Sequence, residues 1–144
     1  MKKILVFGGS GLVGSRFIEL KKEQFEIKSP EASEVDILNQ EKVEEEIEKF
    51  NPDAVINFAA YTNVEEAEKD QGNIEGICYK INVIGAKNIA DVCKTKVKYL
   101  IHISTEYVFD GTKSNSPYTE KDTPNPINWY GKTKFLQNEI SLIK

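Results

Sequence analysis

The sequence predicts an α/β fold, a doubly wound parallel sheet with helices on both faces, and three observations carry that expectation. Continuous apolar runs alternate with stretches of helical periodicity. The runs are apolar at every position, as strands covered on both faces are. The first run opens directly into glycines. At 144 residues the chain suits one domain and can bury a core without disulfides.

Taken in order, Ile4, Leu5, Val6 and Phe7 form the first strand. Leu12, Phe17, Ile18 and Leu20 mark a helix over residues 12–23. Residues 25–28 make a short second strand, stopped by Pro30. Val43, Ile47 and Phe50 recur at helical spacing over residues 41–50, and Asn51-Pro52 ends that helix. Residues 54–58 are a third strand. A long helix is expected over 73–93, with Ile74, Ile77, Cys78, Ile81, Ile89 and Val92 as its buried stripe. Residues 99–103 form a further strand, fourth or fifth in the sheet. A loop rich in Ser, Asn, Thr and Pro covers 110–126, and a last helix spans 128–143.

Composition narrows the function. The net charge is -4 and no basic block occurs, which argues against a nucleic-acid partner. Opposite charges alternate, as at Glu41-Lys42 and Glu48-Lys49, and Glu44, Glu45 and Glu46 read as surface charge. Cys78 and Cys93 lie far apart and His102 is the single histidine, so no metal site is expected. Both cysteines read as small buried apolar groups in a reducing compartment. The apolar run after Lys2-Lys3 is shorter than the roughly 7–15 residues of a signal-peptide core. No stretch approaches the ~18 residues of a membrane span. The expected location is the cytoplasm, with no membrane partner.

Gly8, Gly11 and Gly14 sit between the first strand and the first helix at Gly-x-x-Gly-x-x-Gly spacing. Gly8 permits a sharp turn, Gly11 leaves the backbone open to a pyrophosphate, and Gly14 lets helix and sheet pack closely. The helix start then offers N–H groups to phosphates. This is the dinucleotide-binding arrangement of a Rossmann fold, with Gly8, Ser10 and Gly11 in the cofactor loop. Residues at the end of the second strand leave NAD(H) and NADP(H) both open. Lys28, Ser29 and Arg16 suit a 2′-phosphate, Glu31 suits a free ribose, and all are equally well read as surface groups.

Tyr130 and Lys134 are four apart at the start of the last helix, on one face. An ammonium beside a phenol favours the phenolate, so the expectation is a Tyr130 of lowered pKa acting as proton donor to an alkoxide. Ser104 or Thr105 can hold the carbonyl oxygen. His102, between Ile101 and Ile103, reads as a structural group of the sheet. Asn82 shows no clear chemistry, Tyr107 and Phe109 read as packing residues, and Glu65, Glu66 and Glu68 read as a solvated helix face.

The glycine loop, the Ser104/Thr105 hydroxyls and Tyr130-x-x-x-Lys134 resemble the extended short-chain dehydrogenase/reductases. Residues 57–68, Asn82-Val83, the run 104–111, and the spacing through Pro124, Tyr130, Lys134 and Glu139 resemble the dTDP-4-dehydrorhamnose reductase family more closely. The resemblance covers nearly the whole chain. It implies that residues 1–144 are an NAD(P)-binding Rossmann domain, without the later substrate-binding part of that family. It implies pyrophosphate contacts at Gly11, Leu12 and Val13, an adenine site at Asp36 and Ile37, and a nicotinamide wall of Ala59, Ala60, Tyr61 and Thr62. By the same resemblance Thr105 binds the keto oxygen, Glu106 faces the sugar, Tyr130 is the acid, and Lys134 tunes it and holds the nicotinamide ribose. The implied reaction reduces dTDP-4-dehydrorhamnose to dTDP-rhamnose, with a nucleotide sugar as the partner molecule. A homodimer stays open. Glu106 stands where that family usually has Asp, and Phe58 where it has a small residue. Two alternatives stay open: a non-catalytic dinucleotide-binding regulatory subunit, and a sugar-nucleotide epimerase or dehydratase. Tyr107 after Glu106 favours plain reduction over the latter.

Overall fold

The structure, a computed structural model, describes residues 1–141, and side chains through residue 137. Four parallel strands form one sheet: β1 (Lys3–Phe7), β2 (Glu26–Lys28), β3 (Ala54–Asn57) and β4 (Tyr99–His102), in the order β2-β1-β3-β4. The helices are α1 (Leu12–Lys21), α2 (Gln40–Phe50), α3 (Val64–Lys69), α4 (Ile77–Tyr79), α5 (Ala86–Thr95) and α6 (Trp129–Ser141). Strand alternation divides the core in two. Leu5, Phe7 and Val55 face α2 and α5, where Val43, Ile47, Ile89, Val92 and Cys93 meet them. Ile4, Val6 and Ile56 face Phe17 and Ile18 of α1. Burying each such side chain contributes about 1.5–3 kcal/mol.

Local signals set the element ends. Asn39 caps α2 by accepting from the Lys42 N–H, and Asn51 closes it in the left-handed conformation at φ 50°. Asn63 caps α3 in the same way through Glu66 N–H. The residue before Pro52 cannot continue a helix comfortably, and β3 follows at once.

Three features differ from the sequence reading. The long helix expected over 73–93 is broken into α4, a π-helical turn (Lys80–Gly85) and α5, with the short α3 ahead of it. Ile74 and Ile77, expected in the buried stripe, are 59% and 46% exposed. On the α1 side β4 presents Tyr99 and Ile101, and the chain just after it Ile103, to solvent, so among the described residues that face is covered over β1 and β3 but not over β4. The end of the last helix at Ile143, and the side chain of Glu139, lie outside the described residues.

The chain runs from β1 outward to β2, then returns to place β3 on the other side of β1. Strand order reverses between β1 and β3. In an open α/β sheet, the crevice at the carboxyl ends of the strands on either side of such a reversal is where ligands bind.

Candidate active site

A cleft of about 520 Å³ opens at that reversal. Phe7, Gly8, Ser10 and Gly11 line it from β1, Phe58, Ala59 and Ala60 from β3, and Asp36, Ile37 and Leu38 from the segment before α2. Gly8 turns the chain at φ +79°, and a Cβ there would lie 2.4 Å from the Ala59 nitrogen. Gly14 brings α1 against the same turn, since a Cβ would lie 2.3 Å from the Gly8 carbonyl oxygen. The glycines thus let two backbones and a helix meet at one point. Leu12 and Val13 turn their side chains outward to solvent. What they bring to the cleft is the first N–H groups of α1, which have no intrahelical partner.

The Asp36–Leu38 side of the cleft is held from α5 and the π-helical turn before it. The Asn88 side chain donates to the carbonyls of Ile37 (2.9 Å) and Leu38 (3.1 Å), and Gly85 makes room for the Ile37 side chain. Asp36 accepts from the Leu38 N–H at 2.9 Å. Phe58, at the cleft's edge, packs its ring 5.7 Å from Phe17. Lys28 is engaged by Glu46 and Arg16 by Glu19, both at 2.6 Å. Among the described residues no cluster of His, Cys, Asp and Glu has the makings of a metal site. No helix among them is long and apolar enough to cross a membrane.

The cleft lining stops at Ala60; the next residue, Tyr61, lies outside it and is held by a buried asparagine. Asn82, fully buried in the π-helical turn, accepts from the Tyr61 N–H (2.8 Å) and donates to the Tyr61 carbonyl (3.1 Å) and the Thr133 hydroxyl (3.0 Å). Thr133 in turn donates to the Tyr130 carbonyl at 2.8 Å. One side chain therefore joins the loop after β3 to the helix that carries Tyr130 and Lys134. From sequence, Asn82 offers a bond to a neighbouring backbone and no clear chemistry; the Tyr61 bonds are of that kind. The available signal was an amide among apolar neighbours on a helix, a buried position that must be satisfied. Truncating it leaves the Tyr61 N–H and carbonyl unpaired, so Asn82→Ala is expected to cost about 2–4 kcal/mol in urea unfolding.

Tyr130 is buried against Ala67, Cys78 and Trp129, and the Tyr107 ring meets it edge-on at 5.6 Å. Thr105 caps the 3₁₀ turn Glu106–Val108 and donates to Glu106 Oε2 at 3.2 Å. Glu106 is exposed, as are Ser104 and Thr62. The Tyr130 pKa is pushed above its ordinary value by burial, opposed by the Thr105 hydroxyl, while the Glu106 charge raises it further. This corrects the expectation that Lys134 lowers it. Helical spacing does put the two residues on one face. However, the Lys134 ammonium donates to the Ile103 carbonyl at 2.7 Å, and burial dominates at the phenol. Tyr130 is consequently the neutral phenol at neutral pH, the form that gives a proton.

Lys134 is 3% exposed, and burial lowers its pKa to about 8. Between about 8 and 10.5 the unfolded chain holds this proton and the folded chain does not, so stability rises with pH across that window. Below it the buried charge costs on the order of 3 kcal/mol, partly offset by about 1 kcal/mol from the Ile103 hydrogen bond. Lys134→Met is therefore expected to stabilise the fold at pH 7. That gain over the wild type should shrink as pH rises past 8, as read by denaturant unfolding across pH. His102 is neutral here, its pKa lowered to about 4 by burial, with Nδ1 3.3 Å from Asn57 Nδ2. That agrees with a structural role in the sheet.

Residues 1–142 match the family model described as the RmlD substrate binding domain. The chain belongs to that family. It is 35% identical over 136 residues to dTDP-4-dehydrorhamnose reductase of Aggregatibacter actinomycetemcomitans, an alignment covering 93% of this chain and 45% of that protein. It is 34% identical to the methionine adenosyltransferase 2 subunit beta of Rattus norvegicus, covering 99% of this chain and 43% of that one. Its fold superposes with a TM-score of 0.88 and 34% identity on the crystal structure of dTDP-4-dehydrorhamnose reductase from Bacillus anthracis in complex with NADP, over 98% of this chain and 49% of that chain. This RmlD-family chain spans about half the length of the curated relatives it matches.

Proposed function

We propose that this RmlD-family chain holds NADP(H) or NAD(H) in the β1/β3 cleft and carries the proton-transfer side of a 4-keto sugar-nucleotide reductase. The observation behind the reading is the continuity from cleft to helix. Ala59 and Ala60 line the cleft, Asn82 ties the adjoining Tyr61 to Thr133, and Thr133 lies between Tyr130 and Lys134 on α6. The residues fit such a cofactor. A glycine turn without side chains lies at the cleft floor, the first N–H groups of α1 lie beside it, and Val35, Ile37, Leu38, Ile77 and Ile81 give apolar walls. When bound, the dinucleotide supplies a hydride.

In this reading the glycine turn and α1 hold the pyrophosphate, and Asp36 and Ile37 border the adenine. Ala59 and Ala60 lie along the nicotinamide end, with Tyr61 and Thr62 just beyond. Lys134 binds the nicotinamide ribose. Thr105 directs the keto oxygen of dTDP-4-dehydrorhamnose toward Tyr130, and Glu106 meets the sugar. As the carbonyl carbon is reduced, Tyr130 gives its phenolic proton to the developing alkoxide, completing dTDP-rhamnose. The test is NADPH absorbance in the presence of the dTDP-4-keto-6-deoxysugar, for the chain alone and joined to the C-terminal half of a full-length relative. Substrate-dependent oxidation is expected, and none in either form overturns the catalytic reading.

Similarity to the adenosyltransferase beta subunit favours one second reading, a dinucleotide-binding regulatory subunit. NADP(H) binding without sugar reduction selects it.

A further inference from the structure

The loop between the two halves of the site is itself closely organised. Thr105 stands where the chain leaves β4 and Tyr130 where it enters α6. Between them, residues 109–125 run without helix or strand. The neck of this loop is closed by Asn125, which donates its N–H to the Val108 carbonyl (2.8 Å) and its side-chain amide to Asp110 Oδ2 (2.9 Å). The other carboxylate oxygen of Asp110 accepts from the Tyr118 hydroxyl (2.7 Å), the Thr112 hydroxyl (2.8 Å) and the Thr112 N–H (3.0 Å). Tyr118 stacks on Phe109 with centroids 4.4 Å apart. The Asn125 amide, then the Thr112 N–H and the Tyr118 and Thr112 hydroxyls, hold the Asp110 carboxyl far below the usual range, so it is ionised.

Both limbs of the loop reach the site. On the inbound limb, the Tyr107 carbonyl presses on α6 at Gly131, where a Cβ would lie 2.3 Å from it, and the Tyr107 ring meets Tyr130. On the outbound limb, Asn128 accepts from the Gly131 N–H at 2.7 Å and starts α6. The Thr105 hydroxyl then acts on the Tyr130 phenol. The limbs join at Asn125, through its N–H to the Val108 carbonyl and its side-chain amide to Asp110.

We propose that Asp110 is a positioning residue: bonded to Asn125, its carboxylate ties the limb bearing Thr105 to the limb bearing Tyr130 and so sets hydroxyl against phenol. Its catalytic meaning rests on Tyr130 being the proton donor. Its test reads geometry without turnover, so either idea can fail without the other.

The pair permits a polarity swap. In Asp110→Asn, an amide that keeps its oxygen toward Tyr118 and Thr112 turns its NH₂ on Asn125, whose amide must turn over to accept it, and a neutral bond replaces the charge-assisted one. In Asn125→Asp, two carboxylates face. The double variant restores one donor and one acceptor in reversed order. The readout is NMR of the chain with ¹³C-labelled tyrosine, Tyr130 being assigned by Tyr130→Phe. Each single variant is expected to weaken the Thr105–Tyr130 contact and move the Tyr130 titration midpoint by about half a pH unit. The double variant is expected to return both to wild-type values. Wild-type Tyr130 behaviour in both single variants, with the Tyr118 signal displaced, overturns the proposal, because the loop then changes without the site. A double variant that fails to recover Tyr130, whether it folds or not, also overturns it. Single variants that do not fold beside a double variant that folds with a wild-type Tyr130 support it.

Discussion

Gly8→Ala is expected to cost the fold about 2–5 kcal/mol and to remove the proposed dinucleotide binding. Two effects add. A residue with a Cβ pays about 1–2 kcal/mol in the left-handed conformation, which Gly8 holds at φ +79°. The added carbon also lies 2.4 Å from the Ala59 nitrogen, 2.7 Å from its Cα and 2.8 Å from the Phe58 carbonyl carbon. These are backbone atoms, which have no rotamer to escape to, and overpacking of this kind costs about 1–3 kcal/mol or more. Relief requires the ends of β1 and β3 to part. That would break the bond from Phe58 N–H to the Phe7 carbonyl and open the crevice. Against a typical domain stability of about 5–15 kcal/mol, the variant keeps little margin. Gly72→Ala is the control. Gly72 has the same φ, but nothing lies within 4 Å of an added Cβ, so only the backbone cost of about 1–2 kcal/mol remains. Equal urea midpoints for the two variants would contradict the steric argument.

For the proposed sugar-nucleotide reduction, Tyr130→Phe is expected to lower the rate by about 10²–10⁴-fold while leaving cofactor affinity within a few-fold. The phenyl ring keeps the contacts with Tyr107 and Trp129, so the fold should hold. Only the hydroxyl that faces Thr105 is lost. Because burial raises the Tyr130 pKa, its proton is in place throughout the neutral range. Ionisation of Tyr130 should therefore not limit the rate below pH 10. Single-turnover reduction by bound NADPH measures this directly. A variant as fast as wild type would remove Tyr130 from the chemistry.

The sheet and its crevice were legible because their signals are local. Ile4 to Phe7 running into Gly8 specifies a buried strand and a turn, and Asn51-Pro52 marks a stop whatever else the chain does. The residues that join the site were not legible, because they act across distance. Asn82 reads as one amide in an apolar stretch until the π-helical turn aims it at Tyr61 and Thr133, 21 and 51 residues away. Glu68 reads as a surface charge, yet it accepts from the Trp129 N–H at 2.7 Å and helps start α6. Ile74 and Ile77 satisfy helical periodicity but stay exposed, and Ile77 lines the cleft rather than the core. Spacing placed Tyr130 and Lys134 on one face correctly. It does not say where a long, flexible side chain ends, and the Lys134 ammonium ends on the Ile103 carbonyl. α3 is too short for a periodic signal, with only Val64 and Ala67 as apolar anchors.

The dinucleotide proposed for the β1/β3 cleft lies with its reactive end toward Tyr130. Trp129 gives a direct reading, since it is the single tryptophan of the chain and lies next to Tyr130, packed on Tyr79 at 6.3 Å. Its emission overlaps NADPH absorption, so a bound dinucleotide accepts its energy. Titration of the folded chain with NADPH is predicted to quench Trp129 saturably, with a midpoint in the range of about 1–100 μM, and to raise NADPH emission in step. Emission that declines without saturation up to millimolar NADPH, from a chain shown to be folded, would contradict the account.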